Sequence, residues 1–168
     1  MERIAIFPGS FDPVTRGHES IVRRALPLFE KVIVAIGENG EKKSYFPLDK
    51  RLVWLQEIFH GEQKVEITTY SGLTVDFCQK NKITYILRGL RTAADFEFER
   101  SIGQMNKLMY PGIETVFLLC EPEYASLSSS IVRDIIRNGG DVTQFVPEGI
   151  RVSLDFGGRS QEMGDQLY

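Results

Sequence analysis

Short apolar runs alternate along this chain with longer segments whose apolar residues recur three and four positions apart. The runs are residues 4–7, 31–37, 83–87 and 114–120, and residues 65–68 alternate between apolar and polar positions. Runs of this length, bounded by Gly, Pro or polar residues, predict strands, and the segments between them predict helices. Because parallel strands need helix-length connections, the alternation predicts an α/β fold with a doubly wound, Rossmann-like, five-stranded parallel sheet and right-handed crossovers.

The helices differ in how clearly their ends are marked. The first is expected to open at Gly17-His18 and to bury an apolar face that begins with Ile21 and Val22. Thr92-x-x-Asp95 predicts a capping box at the start of a long helix that ends before Pro111. Further helices are predicted near residues 47–59, 73–81 and 128–138, and a last one at 147–156. Residues 1–156 are expected to form one domain and the polar, Gly-rich residues 157–168 a mobile tail.

Composition narrows the class of protein. The 168 residues, 42% hydrophobic and 26% charged, suit a single domain. A net charge of −3 argues against a broad nucleic-acid surface. No apolar run approaches the roughly 18 residues of a membrane span, and no basic flank precedes the first strand, so a cytoplasmic protein without a membrane partner is expected. Cys78 and Cys120, with no CxxC pairing, are expected to be reduced core residues.

The junction between the first strand and the first helix is the strongest candidate for chemistry. Pro8-Gly9 is expected to end the strand in a turn, since a ladder does not easily continue through proline. His18 then falls in the first turn of the helix, where unpaired N–H groups and the positive end of the helix dipole favour an anion. Gly17 allows a ligand to approach the backbone closely. In an open α/β sheet this crevice is also where ligands bind.

Three other polar groups are predicted at the same edge of the sheet. Lys42 lies in a polar segment after the second strand, Arg88 and Arg91 lie on the expected loop after the fourth, and Ser128–Ser130 precede a helix. Taken singly, such groups are more often surface residues or helix caps. Together with His18 they supply two helix N-termini, an imidazole, an ammonium and two guanidinium groups, a set suited to polyphosphate.

Several reaction classes lack their signatures in this sequence. Ser10 and the serine triplet have no recognisable base and carboxylate partners for acyl transfer. The glycine pattern is neither that of a P-loop nor that of a GxGxxG dinucleotide site. Phosphoryl or nucleotidyl transfer, which depends chiefly on positioning and charge stabilisation, remains.

The first eighteen residues also carry a resemblance to a known family. Gly9-Ser10-Phe11-Asp12-Pro13, followed by Thr15-x-Gly17-His18, resembles the signature of the nucleotidyltransferase superfamily that shares its fold with class I aminoacyl-tRNA synthetases. Within it the chain is most similar to the bacterial phosphopantetheine adenylyltransferases, from residue 2 to about 150. The resemblance implies the strand order 3-2-1-4-5. It also implies transfer of the adenylyl group of ATP to 4′-phosphopantetheine in coenzyme A biosynthesis, Mg²⁺ bridging the ATP phosphates, and a homohexamer.

The resemblance assigns roles to individual residues. It implies His18, Lys42 and Arg91 as catalytic residues. It places the acceptor on Ser10, Lys42, the Thr74 backbone and Arg88. It places ATP on Ser10, Phe11, His18, Gly89, Leu90, Arg91, Glu99, Tyr124, Ala125, Ser126, Leu127, Ser128, Ser129 and Ser130. Two departures are visible, because the family often has Thr at position 10 and Tyr at position 98, where this chain has Ser10 and Phe98.

Two alternatives stay open at this point. The nearest is a related nucleotidyltransferase that acts on nicotinamide mononucleotide or a cytidine nucleotide, although the segments around Lys42 and Thr74 favour phosphopantetheine. The other is a non-catalytic nucleotide sensor, which the loss of His18 or Arg91 would indicate. Both residues are present.

Overall fold

The structure, a computed structural model, describes residues 2–38 and 43–152. The strands along these residues are β1 (Ile4–Gly9), β2 (Lys31–Glu38), β3 (Val65–Ser71), β4 (Tyr85–Leu90) and β5 (Glu114–Leu119). The helices are α1 (Arg16–Ala25), α2 (Leu48–Ile58), α3 (Thr74–Lys80), α4 (Ala93–Met109) and α5 (Ser129–Arg137). A single 3-10 turn, Pro122–Tyr124, precedes α5. Lys42 and the predicted tail 157–168 lie outside the described residues.

All five strands are parallel and lie in the order β3-β2-β1-β4-β5. The α/β class read from the hydrophobic pattern and the strand order implied by the resemblance are both confirmed. From β1 the chain moves outward to β2 and β3 on one side and later to β4 and β5 on the other. The switch point therefore lies between β1 and β4, and a crevice is expected at their carboxyl ends.

Strand β1 runs two residues further than the sequence predicts. Pro8 and Gly9 remain in register with β2, opposite Ala35 and Ile36. The Pro8 carbonyl faces β4, because it accepts a hydrogen bond of 2.8 Å from Nη1 of Arg88. The backbone N–H and carbonyl of one strand residue point to the same side, so an N–H at position 8 would also face β4. The pairing of β1 with β4 has already ended at Ile6. The ring therefore removes no ladder hydrogen bond, and the strand continues through it.

Strand β4 also extends beyond its predicted end, which corrects the placement of Arg88 on a loop. Arg88 and Gly89 are strand residues in register with Phe117 and Leu118 of β5. Neighbouring side chains on a strand point to opposite faces of the sheet. Gly89 faces α1, since a Cβ there would lie 3.1 Å from Ile21, and Arg88 faces the other side. A strand position thus holds the guanidinium in a definite direction.

Apolar side chains cover both faces of the sheet. Ala5 and Phe7 of β1 join a core cluster with residues of α1, α2 and α5, whereas Ile6 joins a second cluster with Cys78 of α3. Cys78 is fully buried, and burial raises the pKa of its thiol to about 12, so it is the protonated core residue that was predicted. Cys120 is a free cysteine that packs against the first cluster, but it is only partly buried and also lines a cavity, so it lies at the edge of the core.

Two helix predictions need correction. The capping box at α4 is half formed: Thr92 accepts from the Asp95 N–H at 3.1 Å, but the Asp95 carboxylate bonds the N–H and guanidinium of Arg91. The last helix, predicted at 147–156, is absent over its described part, residues 147–152. Gly149 has φ of +88° there, a left-handed conformation that breaks a helix. Residues 153–156 lie outside the described part of the chain.

Candidate active site

A cavity of about 310 Å³ lies at the carboxyl ends of β1 and β4, beside the first turns of α1 and α5. Its walls include members of every polar group predicted at this edge that falls within the described residues. The residues of the predicted site that line it are Ser10, His18, Arg88, Gly89, Arg91, Glu99, Tyr124, Leu127, Ser128 and Ser129. Groups distant in sequence therefore meet at one sheet edge, at the switch point.

Thr15 and His18 together cap the N-terminus of α1. The Thr15 hydroxyl accepts from the His18 backbone N–H at 3.4 Å, and Nδ1 of the His18 ring accepts from the Thr15 backbone N–H at 3.0 Å. This is a capping box in which histidine takes the place usually held by glutamate. It holds the imidazole at the cavity wall and leaves the opposite ring nitrogen, Nε2, for a ligand.

The protonation state of His18 follows from its surroundings. Burial, with added repulsion from the charges of Arg91 and Arg88, lowers the pKa of the imidazole from 6.5 to about 4. The ring is therefore neutral at pH 7. Since Nδ1 accepts a hydrogen bond, the single proton is assigned to Nε2. His18 thus offers an N–H donor without a formal charge.

The loop after β1 passes beneath this imidazole. Phe11 has φ of +45°, a left-handed conformation, and its ring is buried edge-on to that of His18 with 5.1 Å between centroids. A Cβ at Gly9, the last residue of β1, would lie 3.0 Å from the Phe11 ring, so glycine at this position leaves room for that ring. Phe11 can therefore meet a nucleotide only through its backbone, whereas Ser10 is exposed at the cavity.

Arg88 is held by two neighbours. Its Nε donates to Oε2 of Glu99 at 2.8 Å, its Nη2 donates to Oε1 of Glu99, and its Nη1 donates to the Pro8 carbonyl at 2.8 Å. A guanidinium has five N–H donors, so two remain for a ligand. Both oxygens of Glu99, the buried residue of α4, accept from Arg88. Glu99, predicted as an ATP contact, therefore holds an arginine in the structure.

Arg91 is positioned by residues on two sides of the cavity. Its Nε donates to Oδ2 of Asp95 at 3.1 Å, and its Nη1 donates to the Leu127 carbonyl at 3.2 Å. Burial acts to raise the pKa of Asp95, but the hydrogen bonds and charge of Arg91 outweigh it and lower that pKa. Asp95 lines the cavity, although its sequence pattern predicted only a helix cap.

The serines before α5 are engaged with the protein itself. Ser128 caps the helix by accepting from the Ile131 N–H at 3.3 Å, and the Ser129 hydroxyl donates to the Pro13 carbonyl at 2.7 Å. The Ser130 hydroxyl accepts from Arg133 at 3.1 Å. What this segment offers the cavity is therefore chiefly the backbone N–H groups of a helix first turn. The predicted ATP-binding residues that do not line the cavity are Phe11, Leu90, Ala125, Ser126 and Ser130.

A second cavity of about 300 Å³ adjoins the first across a shared wall of Pro8, Gly9, Arg88 and Glu99. It contains Thr74, whose backbone the family resemblance places at the acceptor. The remaining lining residues are Gly37, Tyr70, Ile86, Ile102, Gly103, Asn106 and Thr115. Arg88 faces both spaces, so two ligands could meet at its guanidinium.

Asp12 and Arg51 support the site and were not identified as functional from sequence. Asp12 is buried, and its carboxylate accepts from the backbone N–H groups of Tyr45 at 2.7 Å and Phe46 at 2.8 Å. Arg51 is buried on α2 and donates to the carbonyls of Ser10 at 2.6 Å and Phe46 at 3.1 Å. Arg51 lies four residues before Leu55, on the apolar face of α2. A charged residue on such a face is the sequence signal that could have identified Arg51 as a buried, functional arginine.

The contacts of Asp12 and Arg51 involve residues close in sequence to Lys42, which itself lies outside the described residues. Asp12 and Arg51 tie the loop after β1 to residues 45 and 46, shortly after Lys42 in the chain.

Within residues 2–38 and 43–152, no group of three or more His, Cys, Asp or Glu side chains could hold a metal ion. In the same ranges no helix is long and apolar enough to cross a membrane.

The fold and the site can be compared with known proteins. A family model described as Cytidylyltransferase-like matches residues 6–135. The solved structure of Plasmodium falciparum nicotinic acid mononucleotide adenylyltransferase complexed with NaAD superposes with a TM-score of 0.64. The alignment covers 88% of this chain and 92% of that one, at 16% sequence identity, so the likeness is one of fold. The class that these observations define is the nucleotidyltransferases.

Sequence relatives narrow the class. The chain is 51% identical over 150 residues to a phosphopantetheine adenylyltransferase of Flavobacterium johnsoniae, covering 89% of this chain and 98% of the relative. It is 46% identical over 154 residues to that of Leptospira biflexa, covering 92% and 96%. The chain belongs to the phosphopantetheine adenylyltransferase family.

Proposed function

We propose that this protein transfers the adenylyl group of ATP to the phosphate of 4′-phosphopantetheine, giving dephospho-coenzyme A and pyrophosphate. The observation that carries the proposal is the pair of adjoining cavities with Arg88 in their common wall. One cavity holds two helix N-termini, His18 and Arg91, and suits a nucleoside triphosphate. The other, which contains Thr74, suits an acceptor whose phosphate reaches Arg88.

The proposed reaction is one in-line displacement. An oxygen of the acceptor phosphate forms a bond to the α-phosphorus of ATP, and the bond from that phosphorus to the bridging oxygen breaks, so that its electron pair leaves with pyrophosphate. The acceptor phosphate is already ionised at pH 7, since its second pKa is about 6, and needs no general base. No covalent enzyme intermediate forms.

His18 acts in this reaction as a neutral hydrogen-bond donor. Its Nε2–H donates to an oxygen of the α-phosphate, where negative charge redistributes as the bridging bond breaks. A neutral ring keeps this geometry across the physiological pH range, because the pKa of His18 is about 4. The Thr15 N–H holds the ring in the required tautomer.

The other predicted residues divide between the two substrates. Arg91 is a catalytic residue that contacts the triphosphate, and Lys42 is a catalytic residue that contacts the acceptor phosphate. Arg88 and Ser10 bind that phosphate from the shared wall, and Glu99 orients Arg88. The backbone of Gly89 and of the segment from Tyr124 to Ser130 binds the nucleotide.

Mg²⁺ is proposed to enter with the nucleotide. The carboxylates that line the nucleotide cavity, Asp95 and Glu99, are engaged by Arg91 and Arg88. Mg²⁺ commonly keeps several waters and takes its remaining ligands from substrate phosphates, which fits this donor set. When bound, the ion would neutralise charge on the triphosphate.

We also propose that copies of the chain associate, as a homohexamer by family resemblance, through the outer face of α4. Phe98, Ile102, Met105 and Met109 lie three or four residues apart on this helix and are 68%, 40%, 57% and 48% exposed. An uncovered apolar stripe of this kind is typical of protein interfaces. Light scattering of the purified protein measures the assembly, and Met105→Glu is expected to dissociate it.

The function is tested by pyrophosphate release with ATP and a panel of acceptors. Fast release is expected with 4′-phosphopantetheine and much slower release with unphosphorylated pantetheine, which has no anionic nucleophile. Nicotinamide mononucleotide and a cytidine nucleotide complete the panel. Comparable turnover with nicotinamide mononucleotide would contradict the proposed acceptor.

A further inference from the structure

The hydroxyl groups of Tyr70 and Thr74 form a hydrogen-bonded pair in the wall of the second cavity. Oη of Tyr70 and Oγ1 of Thr74 lie 2.7 Å apart, and both residues line the cavity together with Arg88. The resemblance gives position 74 only a backbone contact and gives Tyr70 no role. The pair is therefore a polar feature of the cavity that the proposed reaction leaves unexplained.

The tyrosine ring is held in place on both sides. Tyr70 lies in register with Gly37 of the neighbouring strand, and a Cβ at Gly37 would be 3.0 Å from Oη and 3.2 Å from Cζ. Phe77 packs on the ring with 5.2 Å between centroids. Glycine at position 37 thus makes room for this hydroxyl at the carboxyl end of β2, which is the edge where the cavity opens.

The pair has one hydrogen-bond donor to spare. Each hydroxyl carries one proton, so whichever group donates within the pair, the other O–H remains free. Among the described residues neither hydroxyl makes another hydrogen bond. Burial raises the pKa of Tyr70, which keeps its hydroxyl protonated at neutral pH. The cavity therefore offers a fixed O–H donor to a bound ligand.

We propose that this pair recognises the pantetheine arm of the acceptor by donating its free O–H to an amide carbonyl of that arm. The inference rests on the proposed function, which puts the acceptor phosphate at Arg88 and its arm in the second cavity. Ile86 and Ile102 supply apolar walls to the same cavity, and an amide carbonyl is a strong acceptor for a fixed donor there. A site built to hydrogen-bond a substrate group discriminates against acceptors that lack the group.

The test is the double substitution Tyr70→Phe with Thr74→Val, because either hydroxyl left alone could still donate. It removes both O–H groups and keeps the ring between Gly37 and Phe77. The KM for 4′-phosphopantetheine is expected to rise roughly two- to tenfold, the loss of one neutral hydrogen bond, with the KM for ATP unchanged. Unphosphorylated pantetheine, which binds through the arm alone, should inhibit more weakly by a similar factor. Competition by inorganic phosphate against the acceptor should not change.

A matched control is Tyr85→Phe, which removes the hydroxyl of a strand tyrosine that packs on Phe29 and lines neither cavity. If the pair only ties β3 to α3, the double substitution would lower the melting temperature and leave the acceptor KM and pantetheine inhibition unaltered, which would overturn the inference. Wild-type enzyme that does not use 4′-phosphopantetheine would instead overturn the proposed function, and the role of the pair with it.

Discussion

The backbone N–H of Thr15 lies 3.0 Å from Nδ1 of His18 and donates a hydrogen bond to it. This contact decides which ring nitrogen carries the proton, and so which atom can face a phosphate. It lies within the four residues that begin α1, so the capping contact that starts the helix also prepares the proposed catalytic donor.

Replacing this donor tests its role. His18→Ala is expected to lower kcat by about 10² to 10³, the usual loss on removing one donor to a developing charge. The ATP dissociation constant should change much less, because the helix N-termini and Arg91 still bind the ground state. Single-turnover kinetics with a parallel thermal melt measure both effects, and His60→Ala, at an exposed histidine, is the control. If His18 only caps α1, the folded variant would keep near-normal turnover and lose about 1 kcal/mol of stability.

The pH dependence of His18 is a separate prediction. Its pKa of about 4 in the folded protein lies below the usual 6.5, so the unfolded chain takes up the proton first as the pH falls. The contribution of His18 to stability is therefore fully present above pH 6.5 and is lost as the pH falls toward 4. Long-range ¹H–¹⁵N NMR spectra should show a neutral ring with the proton on Nε2 at pH 7. His60→Gln assigns the signals, and titration of the His18 ring near 6.5 would contradict the prediction.

Glu99→Gln tests whether Glu99 acts through Arg88. The substitution removes one of the two charge-assisted hydrogen bonds that orient the guanidinium, each of which contributes about 1.5 to 3 kcal/mol. The KM for 4′-phosphopantetheine is expected to rise roughly tenfold or more, with a smaller change in the KM for ATP. Glu97→Gln is the control, because Glu97 forms an exposed pair with Arg100 on the same helix. A larger effect on ATP than on the acceptor would favour direct nucleotide binding by Glu99.

Asp12 is predicted to be a stabilising residue as well as part of the motif. Asp12→Ala would leave the buried N–H of Phe46 and the part-buried N–H of Tyr45 without their acceptor. A loss of about 2 to 4 kcal/mol in the free energy of unfolding is expected from urea denaturation. Asp12→Asn retains one acceptor oxygen and should lose less, and Asp134→Ala, at an exposed position of α5, should be close to neutral. Equal stability of Asp12→Ala and wild type would show that these hydrogen bonds contribute little.

The sequence by itself determined the features that depend on residues close together in the chain. Apolar runs predicted β1, β2, β4 and β5, and alternation of apolar and polar residues predicted β3, because the positions of a strand that face the core must be apolar. His18 was placed in the first turn of α1, where the structure has it, from the punctuation around Gly17 and the periodicity that follows. The strand order came from the resemblance, since the apolar periodicity does not specify which strands are neighbours.

The tertiary structure alone decided the contacts between distant parts of the chain. Arg88 and Pro8 are 80 residues apart, and their hydrogen bond forms only because β1 and β4 lie side by side. The same reason applies to Asp12 with Phe46, which are 34 residues apart. Local patterns report backbone preference and burial, whereas the partner of a buried charge or hydroxyl depends on how complete elements pack. For this reason the strand position of Arg88 and the grouping of Tyr70 with Thr74 in a second cavity emerged only from the folded chain.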